Sequence, residues 1–131
     1  MKKTIAPILL ATVWISLSEF VRNQFILQDN WSSHYADMGL TFPSAPANGA
    51  VWGIWSLLYA CVIFFIARHY SLMATILLSW LIGFGMMWLV LGNLLVLPYS
   101  ILPIAIPLSI LEAAVAAWII KTWKKRTEPQ F

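Results

Sequence analysis

Glu19, Arg22 and Asn23 interrupt a run that is otherwise apolar, and a second glutamate, Glu112, stands alone within another. Ionised groups are costly inside a bilayer, so when present they serve a function or a buried pair. A carboxylate beside a guanidinium can neutralise itself, whereas a carboxylate without a base must be protonated or be matched by a bound cation. Within these apolar runs the count is one arginine to two glutamates. If Glu19 pairs with Arg22 at i, i+3, Glu112 is left without a basic partner. Glu112 is then expected to exchange a proton or bind a cation, or else to rest protonated against Asn93 or a free backbone carbonyl. Glu19 with Arg22 reads either as a ligand contact or as a pair tying helices together.

The elements that must position these groups follow from composition. The chain has 131 residues, 61% hydrophobic and 10% charged, where a soluble domain is about one quarter charged. A span needs about 20 apolar residues, and four spans use nearly the whole chain. The pI near 9.3 comes from charges at the ends and in one short loop, which is membrane orientation rather than a nucleic-acid groove. Cys61 is alone, so no intramolecular disulfide forms.

Met1-Lys2-Lys3 and the apolar run after it open like a signal peptide, with Ser16-Leu17-Ser18 as a small-residue site. We read the segment instead as a first span over residues 5–27, with Pro7 in its first turn. Ser16, Glu19 and Asn23 share one face of it. In the loop that follows, Trp31, Tyr35 and Met38 recur at i, i+4, i+7, predicting a short interfacial helix over 31–38, capped by Asp29-Asn30 and ended by Gly39. Further spans are expected over 50–67, 72–97 and 101–123. Asn48, Trp52, Trp55 and Tyr59 lie on one face of the second. Gly83 and Gly85 mark a flexible point in the third. Pro103 and Pro107 loosen the start of the fourth, where Ser109, Ala113 and Ala117 form a stripe for close packing. The fold class expected is therefore all-α: a four-transmembrane-helix antiparallel bundle forming one membrane domain, with a short interfacial helix in the first outer loop.

With four alternating spans, Lys2, Lys3, Arg68, Lys121, Lys124, Lys125 and Arg126 fall on one side, and Asp29 and Asp37 on the other. The positive-inside rule then places both termini in the cytoplasm, in our reading that of a bacterial inner membrane. From the outer helix ends, Glu19 lies roughly 12 Å deep, Arg22 roughly 7 Å, Asn93 about 6 Å and Glu112 about 16 Å. All four spans thus bring a polar group to the outer half and almost none to the inner half. This predicts an outward pocket beneath the interfacial helix, contacted by Glu19, Arg22, Asn23, Asn48, Asn93 and Glu112 and walled by Trp52, Trp55 and Tyr59. The aromatic residues read equally well as packing. His34 with Asp37 offers two metal ligands and no third, so no metal is expected.

Pro46-Ala47-Asn48 followed by Trp55-Ser56-Leu57-Leu58-Tyr59, with Phe42-Pro43 ahead of it, resembles the tryptophan-rich TspO/translocator family. That resemblance implies an outward pocket for tetrapyrroles or sterol-like ligands, walled by Trp55 and Tyr59. Ala47 and Gly49 depart from its proline and tryptophan positions, and a fifth span is missing. Glu19 in the first of four spans resembles the membrane-embedded glutamate of small multidrug exporters, which have shorter chains and no long first loop.

No Ser/His/Asp set, phosphate loop, CxxC or HExxH occurs, so no cofactor is specified and a non-enzymatic role is favoured, with acid–base work by a membrane-embedded glutamate pair as a third reading. The sequence points to a membrane protein that binds or moves a small amphipathic or cationic molecule. The alternative is a structural or assembly subunit whose polar groups set helix register. The partners expected are the lipid bilayer, a small-molecule ligand, and a second copy or another membrane protein, but no nucleic acid.

Overall fold

The computed structural model describes residues 2–127, and it is all-helical over that range. The side chains of Lys2, Lys124, Lys125 and Arg126, on which part of the orientation argument rests, lie outside the described set, as does the tail beyond Thr127. Four helical segments are long and apolar enough to cross a membrane: Lys3–Ile26, Pro46–Ala67, Leu72–Asn93 and Tyr99–Trp123. Their outer faces carry exposed Leu9, Val13, Phe65 and Leu89, the last 76% accessible. Water would not tolerate so much apolar surface on a chain of this size, and the chain is membrane-integrated.

The first span is helix α1 (Lys2–Val21), continued by a wide π-type turn over Arg22–Ile26 that closes with Leu27 N–H donating to Arg22 C=O at 2.8 Å. Because α1 begins at Lys2, Pro7 sits in its second turn rather than its first. Helix α2 (Gln28–Asp37) starts three residues earlier than expected. Asp29 and Asn30 fall inside its first turn and do not cap it. Gly39, at φ +73°, does end it: Gly39 N–H reaches Ala36 C=O and Leu40 N–H reaches Tyr35 C=O, both at 2.9 Å, the paired bonds of a Schellman stop.

Helix α3 (Pro46–Ala67) opens with proline at its first position, and Ala45 N–H donates to Asn48 Oδ1 at 3.1 Å. The third span is built from α4 (Leu72–Trp80), a second π-type turn (Leu81–Gly85) and α5 (Met86–Asn93). It stops four residues short of Leu97. Val96 N–H folds back on Leu91 C=O at 3.0 Å, with Leu95 in the left-handed region at φ 60°, a conformation that costs a non-glycine residue about 1–2 kcal/mol. The Leu95 carbonyl accepts from His34 Nε2 at 2.9 Å, so α2 and this strained turn hold each other. A short 3₁₀ turn (Tyr99–Ile101) leads into α6 (Leu102–Thr127).

Small residues bring the helices together. Ala11 on α1, Ala60 on α3 and Ala113, Ala116 and Ala117 on α6 are all fully buried, which lets backbones approach where no hydrophobic force drives helices together. A second apolar cluster, formed by Leu27, Leu97, Ile101 and Ala105, with Trp31 packed against it, joins α2 to the other end. Lys121 Nζ donates to the carbonyls of Ala67 and Tyr70 at 3.1 and 2.5 Å, satisfying the end of α3.

Gly83 marks the tightest approach. A Cβ there would lie 2.5 Å from Cε2 of Tyr59, whose ring is buried and whose hydroxyl donates to Ser79 C=O at 2.9 Å. Gly83→Ala is expected to displace Tyr59, break that bond and destabilise the protein by about 1–3 kcal/mol. Gly53, with nothing within 4 Å, should accept alanine with a change under about 0.5 kcal/mol. Thermal unfolding in detergent compares the two, and equal midpoints would refute the packing account.

Candidate functional site

The first π-type turn begins at Arg22 and the second contains Phe84; the Arg22 guanidinium lies 5.1 Å from the Phe84 ring centre. Such wide turns redirect side chains and are frequent at functional positions. Here they bring a charged group over an aromatic face in the interior of the helices.

Arg22 serves both carboxylates. Its Nη1 donates to Glu112 Oε2 at 2.8 Å, and its Nη2 donates to Glu19 Oε1. Ser18 Oγ donates to the same Glu112 oxygen at 2.8 Å, and Asn23 Nδ2 donates to Glu19 Oε2 at 2.9 Å. Trp31 Nε1 donates to Asn23 Oδ1 at 3.0 Å, and Trp14 Nε1 to the Glu112 backbone carbonyl at 3.0 Å. Glu19 and Arg22 are 4% exposed and Glu112 is sealed. The expectation that Glu112 has no base is therefore corrected: Arg22 bridges α1 to α6 and holds both glutamates. Trp14, Ser18 and Arg22 recur at i, i+4, i+8 along α1, and that stripe faces Glu112. The spacing was in the sequence, but its partner could be found only by packing α6 beside it.

Beside this network lies a cleft of about 430 Å³ between α1, the first turns of α3 and the Pro43–Pro46 approach to α3. Glu19, Asn23, Asn48 and Trp52 line it, together with Ser16, Gln24 and Ser56, which are additions to the expected set. Phe20 and Trp52 give it exposed aromatic edges. Arg22 and Glu112 stand behind Glu19 and do not line it. Trp55 and Tyr59 were expected as walls; they stack on each other at 4.9 Å between ring centres and meet Phe84 on the core side. Asn93 is exposed at the end of α5 and joins neither cleft nor network. The cleft is roofed by the proline-containing return to α3. Helix α2 packs instead against that return through Trp31, Tyr35 and Phe42.

A second, shallower hollow of about 460 Å³ contains Asp29, His34 and Asp37 opposite Tyr99 and Ser100. His34 there is committed to the Leu95 carbonyl, and Asn30 donates to Ser100 at 3.0 Å, so these groups serve to dock α2. The polar content of the half nearer the 68–71 turn also differs from expectation: Thr75 and Ser79 on α4 are fully buried there.

Comparison with protein-family models, with curated proteins and with solved structures gave no match.

Removing one member of a buried ionic network strands the others at a cost of roughly 3–5 kcal/mol, whereas replacing all members with neutral isosteres costs far less. Arg22→Met alone is expected to destabilise in that range. Combining it with Glu19→Gln and Glu112→Gln should recover most of the loss. Thermal shifts that simply add across the three substitutions would contradict the network.

Proposed function

We propose that this chain is a four-helix antiparallel membrane bundle, with α2 lying in the outer interface and both termini cytoplasmic, that binds or moves a small amphipathic cation through the cleft beside Glu19. The observation that carries the reading is the cleft itself. Its volume falls in the range of small-molecule sites, about 300–1,000 Å³. Its wall is largely apolar, and its polar groups converge on a buried carboxylate.

The chemistry of the lining supports a cation. Glu19 and Asn23 offer acceptor oxygens, Asn48 and Gln24 add amides, and Phe20 and Trp52 present ring faces and edges suited to a lipophilic charged group. The formal charge of Glu19, Arg22 and Glu112 together is −1 when both carboxylates are ionised, and a bound cation would neutralise it. The chain would supply binding and orientation; none of the lining groups is a nucleophile activated by a neighbouring base.

A second reading, an assembly subunit, draws on Gly49 and Gly53. They lie one helical turn apart on α3, both in the cleft, and a Cβ added at either would meet no other part of the chain within 4 Å. A Gly-x-x-x-Gly face of this kind accepts a second helix at close range, so the cleft would seat a transmembrane segment of a second copy.

Tetraphenylphosphonium binding to the detergent-purified protein distinguishes the readings. The parent is expected to bind it, Glu19→Gln to lose at least about tenfold in affinity, and Gly53→Leu to block it by filling the cleft. A parent that binds no probe, and whose native mass is that of a dimer dissociated by Gly53→Leu, would replace the first reading with the second. Orientation is tested separately in a Cys61→Ala background. A cysteine at Ser33 should react with an impermeant thiol reagent in intact cells, and one at His69 should not; the reverse pattern would overturn the orientation.

A further inference from the structure

Among the described residues, Glu112 Oε1 is buried and receives no hydrogen bond. The other oxygens of the two glutamates are taken. Glu19 Oε1 accepts from Arg22 and Glu19 Oε2 from Asn23, while Glu112 Oε2 accepts from both Arg22 and Ser18. A buried acceptor normally has a donor, but the nearby donors are committed elsewhere. Trp14 Nε1 donates to the Glu112 backbone carbonyl, Trp31 Nε1 to Asn23 and the Tyr59 hydroxyl to the Ser79 carbonyl.

What Glu112 does meet is the other glutamate: the Glu19 and Glu112 carboxyl groups lie within hydrogen-bonding reach of each other. Two ionised carboxylates cannot bond, since each only accepts, and in a dry interior their repulsion is strong. Few other charged or titratable groups face them. Helix α1 brings Arg22 and α3 brings the Tyr59 phenol. The third span, Leu72–Asn93, contains no Asp, Glu, Lys, Arg, His, Cys or Tyr. Lys121 on α6 is held at the far end by the Ala67 and Tyr70 carbonyls. Arg22 keeps its charge at all accessible pH, so one cation faces two carboxylates.

A single proton answers each of these conditions. It turns the contact between the carboxyl groups into a hydrogen bond, removes their repulsion and brings the set to neutrality. The existing bonds also fix its seat. Glu112 Oε1 is the uncommitted oxygen, so the proton rests there and is donated to Glu19.

We propose that Glu19 and Glu112 form a one-proton site, a carboxylic acid hydrogen-bonded to a carboxylate inside the membrane, with Arg22 as its fixed counter-charge and the cleft as its opening. The proton belongs to the pair rather than to either residue. Glu112 is sealed, whereas Glu19 lines the cleft. On unloading, the O–H bond of Glu112 breaks and its electron pair stays on Oε1. The proton crosses to Glu19 and leaves to water in the cleft; loading reverses these steps. Rising pH unloads the site and adds one negative charge beside the cleft, so pH sets the charge that the cleft presents.

Infrared spectroscopy of the protein in lipid nanodiscs tests this without any ligand. The parent is expected to show a carboxylic-acid C=O band near neutral pH that shifts in D₂O and gives way to carboxylate absorption as pH rises. Glu112→Gln leaves Glu19 with Arg22, and Glu19→Gln leaves Glu112 with Arg22. Either remaining pair is neutral without a proton, so each substitution alone should abolish the band. This reciprocity separates a shared proton from one glutamate protonated by burial alone, whose band would survive loss of the other. Ser18→Ala, which perturbs the same contact without changing charge, should keep the band. The proposal is overturned by a parent without the band, by a band that survives either glutamine substitution, or by loss of the band in Ser18→Ala. The parent measurement needs no variant and keeps the proposal refutable if a substitution prevents folding. A parent that binds no probe in the cleft would leave the band in place, so this inference and the ligand reading fail separately.

Discussion

One guanidinium shared between two carboxylates is the constraint to which the interior conforms. Arg22 cannot lose its charge, and its planar fork reaches two acceptors at once. Placed at the start of a widened turn in α1, it meets Glu19 on its own helix and Glu112 on α6. A buried cation left alone would be costly. The positions of α1 and α6 relative to each other are thus limited to those that keep both contacts, and Ser18 and Trp14 reinforce the same register from α1.

The rest of the packing accommodates that contact. Alanines on α1, α3 and α6 let the backbones come close enough for short polar side chains to reach across. Phe84 lies under Arg22, Tyr59 packs on Phe84, and Gly83 is bare because the Tyr59 ring occupies the space a side chain would need. A single polar contact therefore propagates through an aromatic stack to a glycine on the third span. The second π-type turn lies at the same place, so the irregular backbone sits where side chains from three helices converge.

The network also separates two environments. On one side, Glu19 touches a cleft between α1 and α3; on the other, Glu112 is closed off, with one carboxylate oxygen held by Arg22 and Ser18 and the other without a donor. The two carboxylates share a base but not a surface.

Membrane integration, the number of spans and the glycine stop of α2 were legible without coordinates, because they depend on local composition, run length and backbone chirality. Glu19 and Asn23 were legible as neighbours because their spacing alone puts them on one helix face, where Asn23 Nδ2 donates to Glu19 Oε2. The partner of Glu112 was not legible: spacing within a helix says which residues share a face, not which neighbour that face meets. The same limit applied to Trp55 and Tyr59, which share α3 with Trp52 yet turn into the core while Trp52 faces the cleft. It applied again to Asn93, which depth placed beside the others and packing left exposed. Hydropathy weighs serine and threonine lightly, so Thr75 and Ser79 passed as ordinary span residues; only packing showed that both are fully buried. Sequence determined which segments are long and apolar enough to cross a bilayer, since that depends on each segment's own free energy of transfer. Tertiary structure decided which charges meet, since that depends on the rotation of each helix about its axis, which small steric contacts between helices set.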